Sequence, residues 1–517
     1  MNAFSRRGAC PALSTPMQTG DGLLVRLNPV AGGLAPKALI GLCESASRHG
    51  NGVVEVTARG SLQIRGLTAE SAVALASEVN ALGIAVRTGV PVETGPLAGL
   101  DPEEIADPSP LASRIRETID ASDLAIRLGP KVSVVVDGGG RLNMDTVQAD
   151  VRLSAISSTK WLLAIAGDAH SATLLGAVGE DDACEAALVI LQAIATNGRE
   201  ARAKNLLAAI DVHLIVQLRT LASFTSPPPS VLPDALARAT SLGPSFGPPA
   251  RGEIGPSPTP QLVSSDSRNE PASPQLISPI AGGRKDGPRT VARARASGRT
   301  EGGGDAVRMS SIGLLPLRHA TGLSLALPFG SVPASQLIDL ARAAEALGAT
   351  EFRPAPQRTL IVLGLSQTAC LTLQDRAKTL GFITDPLDPR RFIAACPGTP
   401  ACASGLLHTR DIASQLAEAS YDLFDGSFEL HVSGCAKGCA HPAPAALTFV
   451  GGEKGAGLVV DGTAKDLPAG YTPGYEAAHA LGRVAKLVRA SRDKRETNAS
   501  CLSRLGAARI AEAFEQG

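Results

Sequence analysis

"VEVTARGSLQIRGLTAE", residues 54–70, returns in altered form as "FRPAPQRTLIVLGLSQT", residues 352–368. Each stretch alternates apolar and polar positions and then passes into a helical pattern, which predicts two strands followed by a helix. The match extends outward on both sides. "GLLVRL" (22–27) answers "GLSLAL" (322–327), "APKALIGLCESASRHG" (35–50) answers "PASQLIDLARAAEALG" (333–348), and "VNALGIAV" (79–86) answers "AKTLGFIT" (377–384). The offset stays between 298 and 300 over more than sixty residues, too constant for a chance likeness between common α/β patterns. Each copy reads as strand, helix, strand, strand, helix, short strand, the order of a ferredoxin-like βαββαβ unit.

A fainter correspondence follows each unit. "DPSPLASRIRETI" and "PKVSVVVDGGG" in the first half stand where "CPGTPACASGLLHTRDIASQLAEA" and "SFELHVSGCAKGC" stand in the second. Both halves close on an Ala-rich helix, "DACEAALVILQAIA" and "GYEAAHALGRVAKL". Between the halves, from Ser223 to about Gly304, Pro, Gly, Ser and Arg dominate and apolar periodicity is nearly absent. Such a stretch buries too little apolar surface to offset its ordering entropy, so a disordered linker is expected, cut by brief proteolysis between about residues 225 and 305. The expected organisation is α+β with pseudo-twofold symmetry. A first ferredoxin-like unit spans 1–90 and a first α/β lobe 91–222; the linker spans 223–310. The second unit then covers 311–387, and the second lobe, with the clustered cysteines, covers 388–517.

Composition sets the context. The 517 residues carry 49 Lys+Arg and 49 Asp+Glu, so no global nucleic-acid or membrane footprint is expected, and 3% aromatics is low for stacking on bases. "MNAFSRRGACPALS" has charge but no apolar core of a secretory signal, and the most apolar long stretch, residues 205–218, contains Asp211, His213 and Gln217. A cytoplasmic location with reduced thiols is the expectation. Cys43, Cys184 and Cys370 fall on apolar stretches and read as core; Cys501 is isolated, and Cys10 is core, incidental or part of a site.

Four thiols are different. Cys396 and Cys402 are spaced C-x5-C, 32 residues intervene, and Cys435 and Cys439 are spaced C-x3-C. Two short pairs joined by a helix and a strand can bring four thiolates to one centre. "PGTP" cannot form a helix, so that loop can wrap round a centre, and Gly434 and Gly438 leave backbone N–H groups free to approach sulfur. Structural zinc favours shorter spacing than x5 but stays open, as do unrelated buried thiols.

This cysteine pattern in the second half of a duplicated ferredoxin-like chain resembles the nitrite/sulfite reductase superfamily. "RRGACPALSTPMQTGDGLLVRL" (6–27) and "SGCAKGCAHP" (433–442) resemble its precorrin-3B synthase family, over both folded halves and excluding the linker. The resemblance implies a 4Fe–4S cluster on Cys396, Cys402, Cys435 and Cys439. It implies O2-dependent hydroxylation of precorrin-3A at C20 with γ-lactone closure, in aerobic cobalamin biosynthesis. Electrons would come formally from NADH. No G-x-G-x-x-G loop opens a helix after a strand in either half, so an electron-donor protein is the expected partner.

O2 activation needs a redox metal or flavin, and cluster irons are normally saturated by thiolates. A second, mononuclear non-haem iron follows from the resemblance. His431 and His441 flank the second cysteine pair and are its nearest imidazoles in sequence, although the carboxylate of a 2-His-1-carboxylate set is not evident, and an ordinary structural histidine is the default reading of each. A ring bearing eight carboxylates calls for convergent guanidinium groups. Arg59 and Arg358, on the two hairpins, are the substrate-binding candidates, with Arg65 and Arg353 on the same strands, all four otherwise readable as surface charge. Lys131, in "LGPKVSVVV", resembles an active-site lysine of the superfamily and is the candidate catalytic residue. Two other readings stand beside this one: a sirohaem-dependent nitrite or sulfite reductase, with Cys439 bridging cluster and sirohaem, and a non-catalytic tetrapyrrole or cluster carrier.

Overall fold

The computed structural model describes residues 11–30, 32–208, 212–225 and 312–515. In the first repeat an antiparallel sheet runs Met17–Thr19, Gly22–Leu27, Leu62–Leu67, Val53–Val56, and helices Pro36–His49 and Ala69–Ala81 cover its apolar face. The second repeat repeats the order with Gly313–Pro316, Thr321–Ala326, Thr359–Leu365 and Glu351–Ala355, under helices Ala334–Ala346 and Gln367–Thr379. Two details depart from the expected unit. Its closing strand shrinks to single bridges, Pro29 with Val86 and Ala326 with Ile383. Each sheet also gains a short hairpin strand ahead of the first expected one. Three- and four-residue strands are too short to show a period, which is why the pattern did not reveal them.

The repeats trade edges. Ser331–Pro333 of the second adds to the first sheet against Val53–Glu55. In return Leu34 of the first repeat exchanges two backbone hydrogen bonds with Phe352, of 2.8 and 2.7 Å. Helices Pro36–His49 and Ala334–Ala346 pack together, and Leu39, Leu42, Cys43, Leu337, Leu340 and Ala341 share one core. Burying each such leucine contributes about 1.5–3 kcal/mol relative to exposure. A chain cut anywhere within 226–311 is therefore expected to stay one particle by size-exclusion chromatography; separation of two fragments would contradict a core shared between the repeats.

The lobes share a topology as well. Val92–Thr94, Val134–Asp137, Ala149–Ser157, Lys160–Gly167 and Thr173–Gly179 pair parallel, parallel, antiparallel, antiparallel. Ile393–Ala395, Leu430–Ser433, Ala445–Gly452, Gly455–Gly462 and Gly470–Thr472 do the same. Helices Ser109–Asp120 and Glu180–Thr196 pack on the first sheet, and Thr409–Ala419 and Ala477–Ser491 on the second.

The first lobe runs past the expected boundary at 223: Ser223 donates to Asp182 through its backbone N–H at 2.8 Å, and Thr225 exchanges backbone bonds with Ala177. The rest of the expected linker, 226–310, lies outside the described residues, as does Cys10. The apolar stretch at 205–218 supplies Leu206, Leu214, Ile215 and Leu218 to the first lobe's core. Among the described residues no helix is long and apolar enough to cross a membrane. Cys43, Cys184, Cys370 and Cys501 are buried, and burial pushes the Cys43 thiol up to about 12.

Candidate active site

Strands Ile393–Ala395 and Leu430–Ser433 are parallel neighbours, so the loops leaving their carboxyl ends emerge side by side. One loop carries Cys396 and Cys402, the other Cys435 and Cys439. The Gly434 N–H points at Cys396 Sγ from 3.2 Å, and Leu406 N–H binds the Gly434 carbonyl at 2.7 Å. A Cβ on Gly434 would lie 3.2 Å from the Gly405 Cα and 3.3 Å from the Gly398 Cα, so a side chain there would push the loops apart by a few tenths of an ångström. Thr409, at the start of its helix, hydrogen-bonds the Cys396 carbonyl. Cys396 is buried, Cys402 and Cys435 are half-buried, and Cys439 is the most exposed of the four residues. Its thiol pKa is nevertheless raised, first by burial of the sulfur and then by the negative charges of Cys396, Cys435 and Cys402, with Lys437 opposing. The charges of the other three sulfurs thus reach Cys439, which groups the four thiols, and a cationic centre beside Cys439 would relieve the repulsion.

Among the described residues no three His, Cys, Asp or Glu side chains are placed to share a single metal ion. A multi-iron cluster offers a separate iron to each thiol and does not require such convergence, so the cysteine set fits it better than it fits zinc. His431 and His441 do come together, with ring centroids 5.8 Å apart, and Glu429, two residues before His431, lies 3.7 Å from His441 Nδ1. Glu429 is a carboxylate near the histidines that the sequence did not single out. Both ring nitrogens of His431 are buried without a hydrogen-bond partner, and burial, then the neighbouring His441, lowers its pKa to about 4. The donors have the chemistry of a 2-His-1-carboxylate set without the convergence of a closed one.

The arginines divide. Arg59 and Arg353 line a cavity of about 310 Å³ that also takes in Arg87, Arg116, Glu93 and Met144. Arg87 and Arg116 were missed because nothing in "AVRTGV" or "SRIRET" marks them; only folding brings them beside Arg59. Their hydrogen bonds go to backbone carbonyls: Arg59 to Gln148, Arg87 to Val30, Arg116 to Val92. Burial, then crowding by Arg87, pulls Arg116 down to about 10, and burial lowers Arg87. Glu93 is the carboxyl among them, with an enclosed, unpartnered Oε2; burial raises its pKa although Arg59, Arg87 and Arg116 pull the other way. Guanidinium groups gathered around a cavity have the chemistry to pair with carboxylates.

Four expected residues sit otherwise or are engaged. The hairpins pair Val54 with Ile64 and Phe352 with Val362, an offset of 298 that puts Gln357, not Arg358, in the place of Arg59. Arg358 faces the thiol side instead, donating to the Ala440 carbonyl at 3.2 Å. Arg65 is 5% exposed and gripped by Asp21 and the Ala401 carbonyl, which leaves it unavailable to a substrate carboxylate. Arg353 lines the cavity but is paired with Glu351 at 2.7 Å. Lys131 is exposed three residues ahead of strand Val134–Asp137 and does not line the cavity.

Comparison with known proteins places this architecture. The family "Nitrite/Sulfite reductase ferredoxin-like half domain" matches residues 15–82. A precorrin-3B synthase from Sinorhizobium sp. is 37% identical over 523 residues, covering 100% of this chain and 96% of the relative. The chain belongs to the precorrin-3B synthase family. That family sits within the nitrite/sulfite reductase superfamily of oxidoreductases. A ferredoxin–nitrite reductase from Synechococcus elongatus is 28% identical but over only 32% of this chain and 33% of its own. The structure of the Mycobacterium tuberculosis NirA protein superimposes with a TM-score of 0.64 at 16% identity, over 94% of this chain and 84% of its own, which bears out the duplicated fold. Precorrin-3B synthase relatedness thus spans the whole chain, while the nitrite reductase likeness in sequence is partial.

Proposed function

We propose that this chain is a precorrin-3B synthase, converting precorrin-3A, O2 and two reducing equivalents into precorrin-3B and water by hydroxylation at C20 and γ-lactone closure, in aerobic cobalamin biosynthesis. The observation that carries this reading is the full-length relationship at 37% identity. Cys396, Cys402, Cys435 and Cys439 would hold a 4Fe–4S cluster. When bound, such a cluster supplies electrons singly, delivered in this reading from NADH through a partner protein.

Arg59, Arg87 and Arg116 would take carboxylates of the tetrapyrrole, with Arg353 shaping the wall. Arg358 would stand on the thiol side of the site. His431, His441 and Glu429 are the donors available to a mononuclear non-haem iron. Lys131, outside the arginine cavity, keeps the role the resemblance implies, a mobile ammonium that affects turnover more than affinity.

Anaerobic purification followed by iron, sulfide and sirohaem analysis, then incubation with precorrin-3A and O2, tests the reading. The expected outcome is a broad cluster absorption without sirohaem bands and a product heavier by one oxygen atom. Stoichiometric sirohaem would favour a nitrite or sulfite reductase, and substrate binding without turnover would favour a carrier.

A further inference from the structure

The two sheets of the duplicated core turn different outer faces to the lobes. Where the second repeat's sheet meets the first lobe, Ile361 and Leu363 join Leu97, Leu315 and Leu142 in an apolar seam. At the positions equivalent to Ile361 and Leu363, the first repeat carries Gln63 and Arg65. There the seam is ionic. Arg65 donates to both oxygens of Asp21, at 3.2 and 2.9 Å, and to the Ala401 carbonyl. Glu55, 4% exposed, accepts from Gln63 and from Arg410 in the helix that follows the thiol loop. Buried ion pairs are a poor source of stability compared with apolar packing of similar volume. The twin seam carries a leucine at the place of Arg65, and in its own ion pair Arg353, bound to Glu351, donates to the Pro96 carbonyl of the first lobe at 3.0 Å rather than to a cysteine loop.

The contacts land on one loop. Ala401 immediately precedes Cys402. Next to Asp21, Gly20 abuts the same place: a Cβ there would lie 2.3 Å from the Ala403 nitrogen and 2.6 Å from the Cys402 carbonyl carbon. We infer that Arg65, with Gly20 and Asp21, is the first repeat's clamp on the Cys396–Cys402 loop, a positioning device that sets Cys402 relative to the other thiols through the packing of the first repeat on the second lobe. The holoprotein consequence rests on the cluster reading above; the loop consequence does not.

Two arms separate these. In the metal-free chain, alkylation of Cys402 by iodoacetamide, followed by peptide mass spectrometry, is expected to quicken on the order of tenfold in the double variant Arg65→Leu/Asp21→Asn, which removes the Arg65–Asp21 ion pair, with Cys43 protected as in the wild type. Gly20→Ala is expected to do likewise by pushing the loop without touching any charge. In reconstituted protein both variants are expected to lose iron to a chelator faster than the wild type. Wild-type alkylation of Cys402 in both variants, with Cys43 still protected, would overturn the clamp. Should Cys43 become reactive in the double variant, its fold is disturbed and Gly20→Ala decides alone. A wild-type chain that takes up no iron or sulfide would overturn the cluster reading, while the alkylation arm still decides the clamp.

Discussion

Serine at Cys396, Cys402, Cys435 or Cys439, one position at a time, is expected to lower iron and sulfide content well below the wild-type level and to abolish turnover. Serine at Cys184 is expected to change neither. The contrast follows from placement. The four thiols sit on two adjacent loops at the carboxyl edge of one parallel strand pair, and the other three raise the cost of ionising Cys439. A hydroxyl at any of them replaces a soft thiolate with a poor iron ligand and leaves one corner of a cluster open. Cys184 is buried on helix Glu180–Thr196 in the first lobe's core, among apolar neighbours. Of the four, Cys396 is expected to be the most damaging, because its sulfur also accepts the Gly434 N–H that fixes one loop against the other. Iron and sulfide analysis of the anaerobically reconstituted variants measures this. Full cluster content in all four would remove these cysteines as ligands.

Alanine at Arg87 or Arg116 is expected to weaken precorrin-3A binding about ten- to hundredfold while cluster content stays at the wild-type level. A charge-assisted hydrogen bond to a carboxylate contributes about 1.5–3 kcal/mol, which sets that range. Among the described residues neither guanidinium makes a salt bridge; both donate to backbone carbonyls, and Glu93 is the carboxyl that feels them together with Arg59. Arg59→Ala should behave alike. Arg65→Ala should not reduce affinity through a lost substrate contact, since its partners are Asp21 and Ala401. Lys131→Ala is expected to lower turnover more than affinity. Titration of each variant, with cluster content measured first, separates these outcomes; wild-type affinity in Arg59, Arg87 and Arg116 variants together would move the substrate site elsewhere.

The duplication, the ferredoxin-like units and the four cysteines were legible in the sequence because each is a local signal repeated. Strand and helix periods recur at a fixed offset, and the thiols come in two short-spaced pairs within the chain. Arg59 was legible for the same reason, lying on a hairpin that announces itself. Its pairing with Arg358 was not a sound reading: the two differ by one residue from true equivalence, and in a hairpin one residue changes which neighbour a side chain meets.

The amino-acid order by itself determined the fold class, the family and the thiol set. Only the tertiary structure decided which charges are free to bind a ligand. Arg65 and Arg87 look alike along the chain, yet Asp21 and the Ala401 carbonyl occupy the first while the second lines a cavity with Arg59 and Arg116. Glu429 came near the two histidines by the same route, just ahead of the strand Leu430–Ser433 that carries His431 and 3.7 Å from His441 Nδ1. The physical reason is that periodicity encodes which residues are buried, whereas electrostatic function depends on the sum of partners within a few ångströms, drawn from segments tens to hundreds of residues apart.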